Sequence, residues 1–312
     1  MSDLPALDWE RDGRQWPHRE RSRFVQAAGL RWHVQHWPPP SAQAPTVLLI
    51  HGTGASSHSW RHVAPLLAGH MQVISLDLPG HAFTQLPPQG PSSPLLSLPG
   101  MAQGVQALLQ ALSMQVDLIV GHSAGAAVAV RMALDLLAAP RHLVSLNGAL
   151  LPLHGLAGQL FAPAARLMAT MHWIPRLFAY QGRDRAVTER LLESTGSRLD
   201  EEGITLYAQL VASPAHAAAA LGMMAQWDLH ALAERLPRLR TPLDLIVGTA
   251  DRTVRPEQAE RVVALLEPGL KASISRFEGL GHLSHEEQPS RTAERLLELY
   301  HGRLSGSQER PT

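Results

Sequence analysis

Val116-Asp117-Leu118-Ile119-Val120-Gly121-His122-Ser123-Ala124-Gly125-Ala126-Ala127 is the stretch from which the rest of this 312-residue chain is read. Val116 to Val120 is an apolar run of strand length, and Ala124 to Ala139 is an alanine-rich run of helix length. Between them lies Gly-x-Ser-x-Gly. A chain that leaves a strand and enters a helix at once must turn sharply, and small residues at 121 and 125 avoid crowding the turn. Ser123 then stands at its tip. The bland role of a serine before a helix is to cap it. The chemical role is that of a nucleophile, which a hydroxyl becomes only when a base takes its proton. The Ala124 N–H, at a helix N-terminus where the dipole favours negative charge, is placed to donate to an oxyanion.

Strand-then-turn units recur on both sides. Val47-Leu48-Leu49-Ile50 is apolar throughout, as a strand covered on both faces must be, and runs into His51-Gly52-Thr53-Gly54. The N–H of Thr53 or Gly54 is the expected second oxyanion donor. Leu243 to Val247, broken only by Asp244, ends in Gly248-Thr249-Ala250-Asp251, and Ser273 to Phe277 is followed by Glu278-Gly279-Leu280-Gly281-His282. In open α/β sheets ligands bind beyond the carboxyl ends of the strands, and Ser123, Asp251 and His282 all follow such ends. The expected roles are His282 as base for Ser123 and Asp251 as the carboxylate that fixes the imidazole tautomer and stabilises the imidazolium. His285, Asp228 and Asp244 are the rivals, and Asp77 precedes the serine. His51 reads as shaping its own turn, and His122 as pointing away from Ser123. His154, His172 and His216 read as solvated rather than as metal ligands.

Apolar residues make up 45% of the chain and charged residues 17%, enough for a sizeable core. Lys plus Arg and Asp plus Glu number 27 each, so no field draws the chain to nucleic acid or to an anionic membrane. There is no cysteine, which excludes disulfides, thiolate catalysis and thiolate metal sites. No metal or cofactor is expected. Met1 to Arg23 has no apolar core of a secretory signal, and no eighteen-residue apolar run exists. The expectation is a cytoplasmic protein without a membrane span.

Along the chain, residues 1–22 read as a solvated arm with Trp9 and Trp16 as docking points. Phe24 to Ala28 and Leu30 to Trp37 read as an edge hairpin about Gly29. Strands follow at 46–50, 71–76, 141–146, 243–247 and 273–277. Helices are expected near 59–67, with Ser59 as cap, at 101–112, after Ser123 and at 289–300. Residues 85–99 read as a loop and 302–312 as a frayed tail. From Leu150 to Leu236 the β-α alternation gives way to an apolar helical segment. The fold class is therefore α/β, with a mostly parallel central sheet and helices on both faces. Residues 1–149 and 237–312 form the core domain, and 150–236 an inserted helical cap. Met168, Met171, Trp173, Met223, Met224 and Trp227 are the cap residues placed to pack its interior or to contact a bulky apolar substrate.

These residues together resemble the α/β-hydrolase superfamily over nearly the whole chain. More narrowly, the chain resembles the magnesium chelatase accessory proteins of bacteriochlorophyll biosynthesis. That likeness is carried by Ser22-Arg23-Phe24-Val25, Gly29-Leu30-Arg31-Trp32-His33-Val34-Gln35, His51-Gly52-Thr53-Gly54-Ala55-Ser56, Ser59-Trp60-Arg61 and Gly121-His122-Ser123-Ala124-Gly125-Ala126. It is most specific in Ser145-Leu146-Asn147-Gly148-Ala149-Leu150-Leu151-Pro152 and Gly279-Leu280-Gly281-His282-Leu283-Ser284-His285-Glu286-Glu287. Ala82 departs from it, since relatives commonly carry glycine there. The resemblance implies the α/β-hydrolase fold, a pigment pathway, a tetrapyrrole ester or related intermediate as substrate, and contact with magnesium chelatase. It leaves open an accessory protein that binds a porphyrin without turnover, and a C–C hydrolase or perhydrolase with the same triad.

Overall fold

The computed structural model describes residues 4–152, 171 and 173–305. Eight strands form one sheet: β1 (Ser22–Ala27), β2 (Leu30–Trp37), β3 (Thr46–Ile50), β4 (Gln72–Leu76), β5 (Leu118–His122), β6 (His142–Leu146), β7 (Leu243–Gly248) and β8 (Ala272–Phe277). Their spatial order is β1-β2-β4-β3-β5-β6-β7-β8. β1 pairs with β2, and β2 with β4, antiparallel; all other neighbours are parallel. The edge hairpin turns through Ala28 and Gly29, both at positive φ (50° and 74°), as a tight two-residue turn between twisted strands requires.

Alternation along the central strands divides the core in two. Leu48, Ile50 and Ile119 face one layer of helices, built from α3 (Leu98–Ala111) and α4 (Ala124–Leu134), with α10 (Gln258–Leu265) further along the sheet. Val47, Leu49, Leu118 and Val120 face the other, built from α2 (Val63–Ala68) and α12 (Pro289–Ser305), which the short α11 (Ser284–Glu287) precedes. Leu48, Ile50 and Ile119 are wholly buried, each contributing about 1.5–3 kcal/mol of transfer free energy. The expected layering holds.

Between β6 and β7 the described residues contain only helices: α5 (Ile174–Gln181), α6 (Arg185–Ser194), α7 (Glu201–Val211), α8 (Pro214–Ala225) and α9 (Leu229–Ala233). Asp184, Asp200, Ser213 and Asp228 cap α6 to α9 through side-chain oxygens, so each start is written locally. Asp228, a rival acid in the sequence, is thereby occupied as a cap. No single helix among the described residues is long and apolar enough to cross a membrane.

Several expectations need correction. Residues 4–21 are not a solvated arm. They include the short helix α1 (Trp9–Asp12), and Trp16, 3% exposed, packs with Ala82, Phe83, Leu206 and Leu210. The Gln209 amide donates to the Asp12 carbonyl at 2.7 Å, and Ala215 N–H to that of Pro5 at 3.1 Å. Ser59 does not cap α2; it lies inside a 3-10 turn, Ser57–Trp60, capped by Ser56. The stretch 85–99 contains two 3-10 turns, and α3 starts at Leu98 with Ser97 as its cap. Helix α12 runs through Gly302 to Ser305, so the tail starts later than expected.

Candidate active site

Ser123 joins β5 to α4 at φ 51° and ψ −118°. Such backbone costs a non-glycine residue about 1–3 kcal/mol and persists only where its surroundings enforce it. Here they do. Ser123 N–H donates to Leu146 O at 3.0 Å, and Ser123 O accepts from Ala126 and Ala149 at 3.1 and 3.0 Å. A Cβ at Gly121 would lie 2.4 Å from the Ala126 backbone, and one at Gly125 would lie 2.3 Å from Ile50 O. Both glycines are steric requirements of the turn. The Ser123 side chain makes no cap bond to α4, which removes the bland explanation for a serine there. Gly52 lies against it: a Cβ at 52 would meet Ser123 Cβ at 2.8 Å. The loop with Thr53 and Gly54, the latter at φ 74°, therefore stands beside the α4 N-terminus that offers Ala124 N–H.

Asp251 and His282 meet from the ends of β7 and β8. His282 Nδ1 lies 2.8 Å from Asp251 Oδ2. A carboxylate only accepts, so Nδ1 carries the proton and Nε2 is left as the basic nitrogen. Asp251 is fixed on all sides. Its Oδ2 also accepts from Asn147 Nδ2 at 2.8 Å, and its Oδ1 from the N–H groups of Thr253 and Val254 at 2.7 and 2.9 Å. Asn147 in turn accepts from Ser284 Oγ at 2.7 Å. The histidine loop is held as firmly. His122 Nε2–H donates to His282 O at 2.9 Å, and Leu283 N–H to Ser197 Oγ at 2.8 Å.

The other candidates fall elsewhere. His51 donates from Nδ1 to Gly52 O at 2.7 Å and accepts from Leu78 N–H at 2.9 Å, shaping its turn as expected. His122 turns its ring toward the histidine loop, 4.5 Å from His285 and 4.8 Å from His282 between ring centres. His285 is fully buried against Trp60, and burial, with His282 and Arg61 adding to it, pushes its pKa down to about 3. Asp244 is bound by His142 at 2.8 Å, Ser273 at 2.6 Å and Arg303. Burial raises its pKa, but these partners outweigh that and hold it at about 2. His216 is not solvated: it is 3% exposed and bonds to Gly54 and Ala82.

Of the helical-segment residues, Met223 is wholly buried in the main core cluster, its sulfur accepting from Thr53 Oγ1 at 3.3 Å, so it packs rather than lines an open pocket. Met224 and Met171 are half-buried, and half-buried Trp227 packs on the main core cluster. Trp173 is 59% exposed. Met168, His154 and His172 lie outside the described residues. His62, Asp200 and Glu202 could converge on a cation, with ligand atoms within 4.8 Å of one another, but Arg61 already brings positive charge to Asp200 at 2.9 Å.

Two groups of residues carried no clear sequence signal. Asn147 was visible only as part of a family segment. Its φ of 47° after β6 is a left-handed turn that asparagine tolerates. Arg61, Tyr207 and Glu286 form a buried network behind His282. Glu286 accepts from Arg61 Nη1 at 2.6 Å and from the Tyr207 hydroxyl at 2.8 Å. Burial pushes Glu286 up to about 7 against the opposing pull of both partners.

The profile of the alpha/beta hydrolase family matches residues 47–295, which hold the elbow and both partner loops. The chain belongs to the alpha/beta hydrolase family. Within that family it is 36% identical over 271 residues to the Magnesium-chelatase 30 kDa subunit of Rhodobacter capsulatus, covering 87% of this chain and 91% of the relative. The narrower resemblance read from the sequence therefore also stands. Solved alpha/beta hydrolases share the fold at low identity. One from Burkholderia ambifaria superposes with a TM-score of 0.73 at 22% identity, over 95% of this chain and 100% of its own. A thermophilic esterase from Thermogutta terrifontis does so at 0.68 and 21%, over 90% and 98%.

Proposed function

We propose that this alpha/beta hydrolase is a serine hydrolase acting on an ester-like bond. The observation that carries the reading is Ser123 held at φ 51° without a capping bond, in a chain whose loop after β8 presents His282 already paired to Asp251. Ser123 Oγ attacks the carbonyl carbon and His282 Nε2 takes its proton. The tetrahedral oxyanion is received by the N–H of Ala124 and that of Thr53 or Gly54. As the carbon–oxygen bond to the leaving alcohol breaks, the imidazolium returns its proton to that oxygen. Water, activated by the same nitrogen, then releases the acid and restores Ser123.

On this reading residues 150–236 are the cap over these strand ends, and it is the cap that selects bulky apolar ligands. The R. capsulatus relative is named as a magnesium chelatase subunit. That supports a tetrapyrrole ester or related pigment intermediate as substrate, contact with the chelatase, and a cytoplasmic setting. The same name favours a second reading, an accessory protein that binds the tetrapyrrole without turning it over. Incubation with p-nitrophenyl esters and with protoporphyrin alkyl esters separates the two. The first reading expects release of the alcohol, lost in Ser123→Ala. Tight porphyrin binding with no alcohol released, equal in wild type and Ser123→Ala, supports the second and ends the first.

A further inference from the structure

We infer that His216, on helix α8 of the insertion between β6 and β7, is a positioning residue for the oxyanion loop. The inference rests on the hydrolase reading and adds a part to it. His216 is 3% exposed and spans two backbone segments that otherwise belong to the core. Its Nε2 lies 3.1 Å from Gly54 O and its Nδ1 3.1 Å from Ala82 N. A carbonyl only accepts and an amide N–H only donates. The ring is therefore fixed as the Nε2–H tautomer, giving its proton to Gly54 and its lone pair to Ala82. Burial holds its pKa down at about 4, so it keeps that lone pair at neutral pH.

Both contacts fall on backbone in the left-handed region. Gly54 sits at φ 74° and Ala82 at φ 42°. Gly54 O belongs to the peptide that directly follows the Thr53 and Gly54 N–H groups proposed for the oxyanion, so a bond to it anchors the chain where it leaves them. Helix α8 touches the same two segments again. Met223 takes the Thr53 hydroxyl, and a Cβ at Gly80 would lie 2.5 Å from Ala219 Cβ. Helix α8 of the insertion thus braces the oxyanion loop and the Ala82 segment at three points. A misplacement of about 1 Å at such a loop costs about 100-fold in rate.

The two ring nitrogens can be replaced one at a time. The longer side-chain amide of His216→Gln keeps a donor near the Nε2 position, and the shorter one of His216→Asn keeps an acceptor near the Nδ1 position. These two variants and His216→Ala are compared with wild type by fluorophosphonate labelling rate and by amide exchange of residues 53–56. The expected result is labelling slowed about 10- to 100-fold, with faster exchange, in His216→Asn and His216→Ala. His216→Gln should stay within about threefold of wild type. Equal labelling in all four proteins, or a loss in His216→Gln as large as in His216→Ala, overturns the inference. Wild type that fails to label overturns the hydrolase reading instead, and the exchange pattern then decides alone whether His216 sets this loop.

Discussion

Serine, histidine and aspartate stand together in two parts of this molecule. At the sheet edge, His33 Nδ1 lies 2.7 Å from Asp77 Oδ2 and its Nε2 lies 3.0 Å from Ser22 Oγ. At the strand ends, His282 lies 2.8 Å from Asp251, and Ser123 follows His122, whose ring donates to His282 O at 2.9 Å. The edge row is the more fully bonded: His33 reaches both its serine and its aspartate, whereas among the described residues His282 bonds Asp251 and no hydrogen bond joins it to Ser123 Oγ. Its surroundings differ. Ser22 is an ordinary strand residue whose oxygen also accepts from Gln35 at 3.3 Å. Asp77 also serves the N–H groups of Ser57 and Phe83, at 2.7 and 3.2 Å. His33 is fully buried, among the rings of Trp9, Phe24 and Phe83. No helix begins at Ser22 to receive an oxyanion. The edge row is a satisfied network that ties β1, β2 and the Asp77 turn together. What marks Ser123 is its backbone: a strained turn, a helix N-terminus behind it and a glycine loop alongside.

Removing the two acids should separate rate from stability. Asp251→Asn should lower ester turnover by about 10⁴, because the tautomer is wrong, and should also cost about 1–3 kcal/mol of stability, since its amide nitrogen faces donors that the carboxylate accepts from. Asp77→Asn should leave turnover of the folded fraction unchanged while lowering stability by about 1–3 kcal/mol, since it leaves buried partners unmatched. Turnover and urea midpoints measured on both variants read this directly. A large rate loss in Asp77→Asn with Asp251→Asn active would invert the assignment.

The loop that carries His282 has a pH signature near neutrality; at the edge the shift is the other way, since burial raises Asp77 but His33 and its other partners hold it below the usual carboxylate range. Glu286 is raised from 4.5 to about 7. Between these values the folded chain holds a proton that the unfolded chain has released, so raising pH through this window weakens the fold. Glu286→Gln cannot titrate. The stability of wild type relative to Glu286→Gln should fall from pH 4.5 to about pH 7 and be level above it, as read by urea unfolding across pH. A difference that grows with pH would mean Glu286 is ionised in the fold throughout.

The smallest effect is expected at Ala82, a non-glycine residue in the left-handed region. The structure puts this residue at φ 42°. Ala82→Gly should relieve left-handed strain and lose unfolded-state restriction, for a net gain of up to about 1 kcal/mol in thermal unfolding. A loss of stability would show that the methyl, 6% exposed beside Trp16, packs well enough to outweigh the strain.

The strand ends were legible in the sequence because apolar runs and glycine turns are local. Val47–Ile50 with Gly52, and Leu118–His122 with Gly125, need no distant information to be read. Trp9 and Trp16 were legible as anchors of the N-terminal segment, but the Gln209 bond to Asp12, the Asn147 link to Asp251 and the His216 bridge to Gly54 were not. Each joins residues far apart in the chain, and a histidine among alanines on α8 looks like any other until Gly54 and Ala82 are folded beneath it. The Arg61–Glu286–Tyr207 network was hidden for the same reason, since isolated charged residues read as surface.

Site mapping with a fluorophosphonate tests the central claim most directly. Wild type, Ser22→Ala and Ser123→Ala are labelled, digested and sequenced by mass spectrometry. The adduct should sit on Ser123 in wild type and in Ser22→Ala, and be absent from Ser123→Ala. An adduct on Ser22, or labelling that persists in Ser123→Ala, would contradict the account.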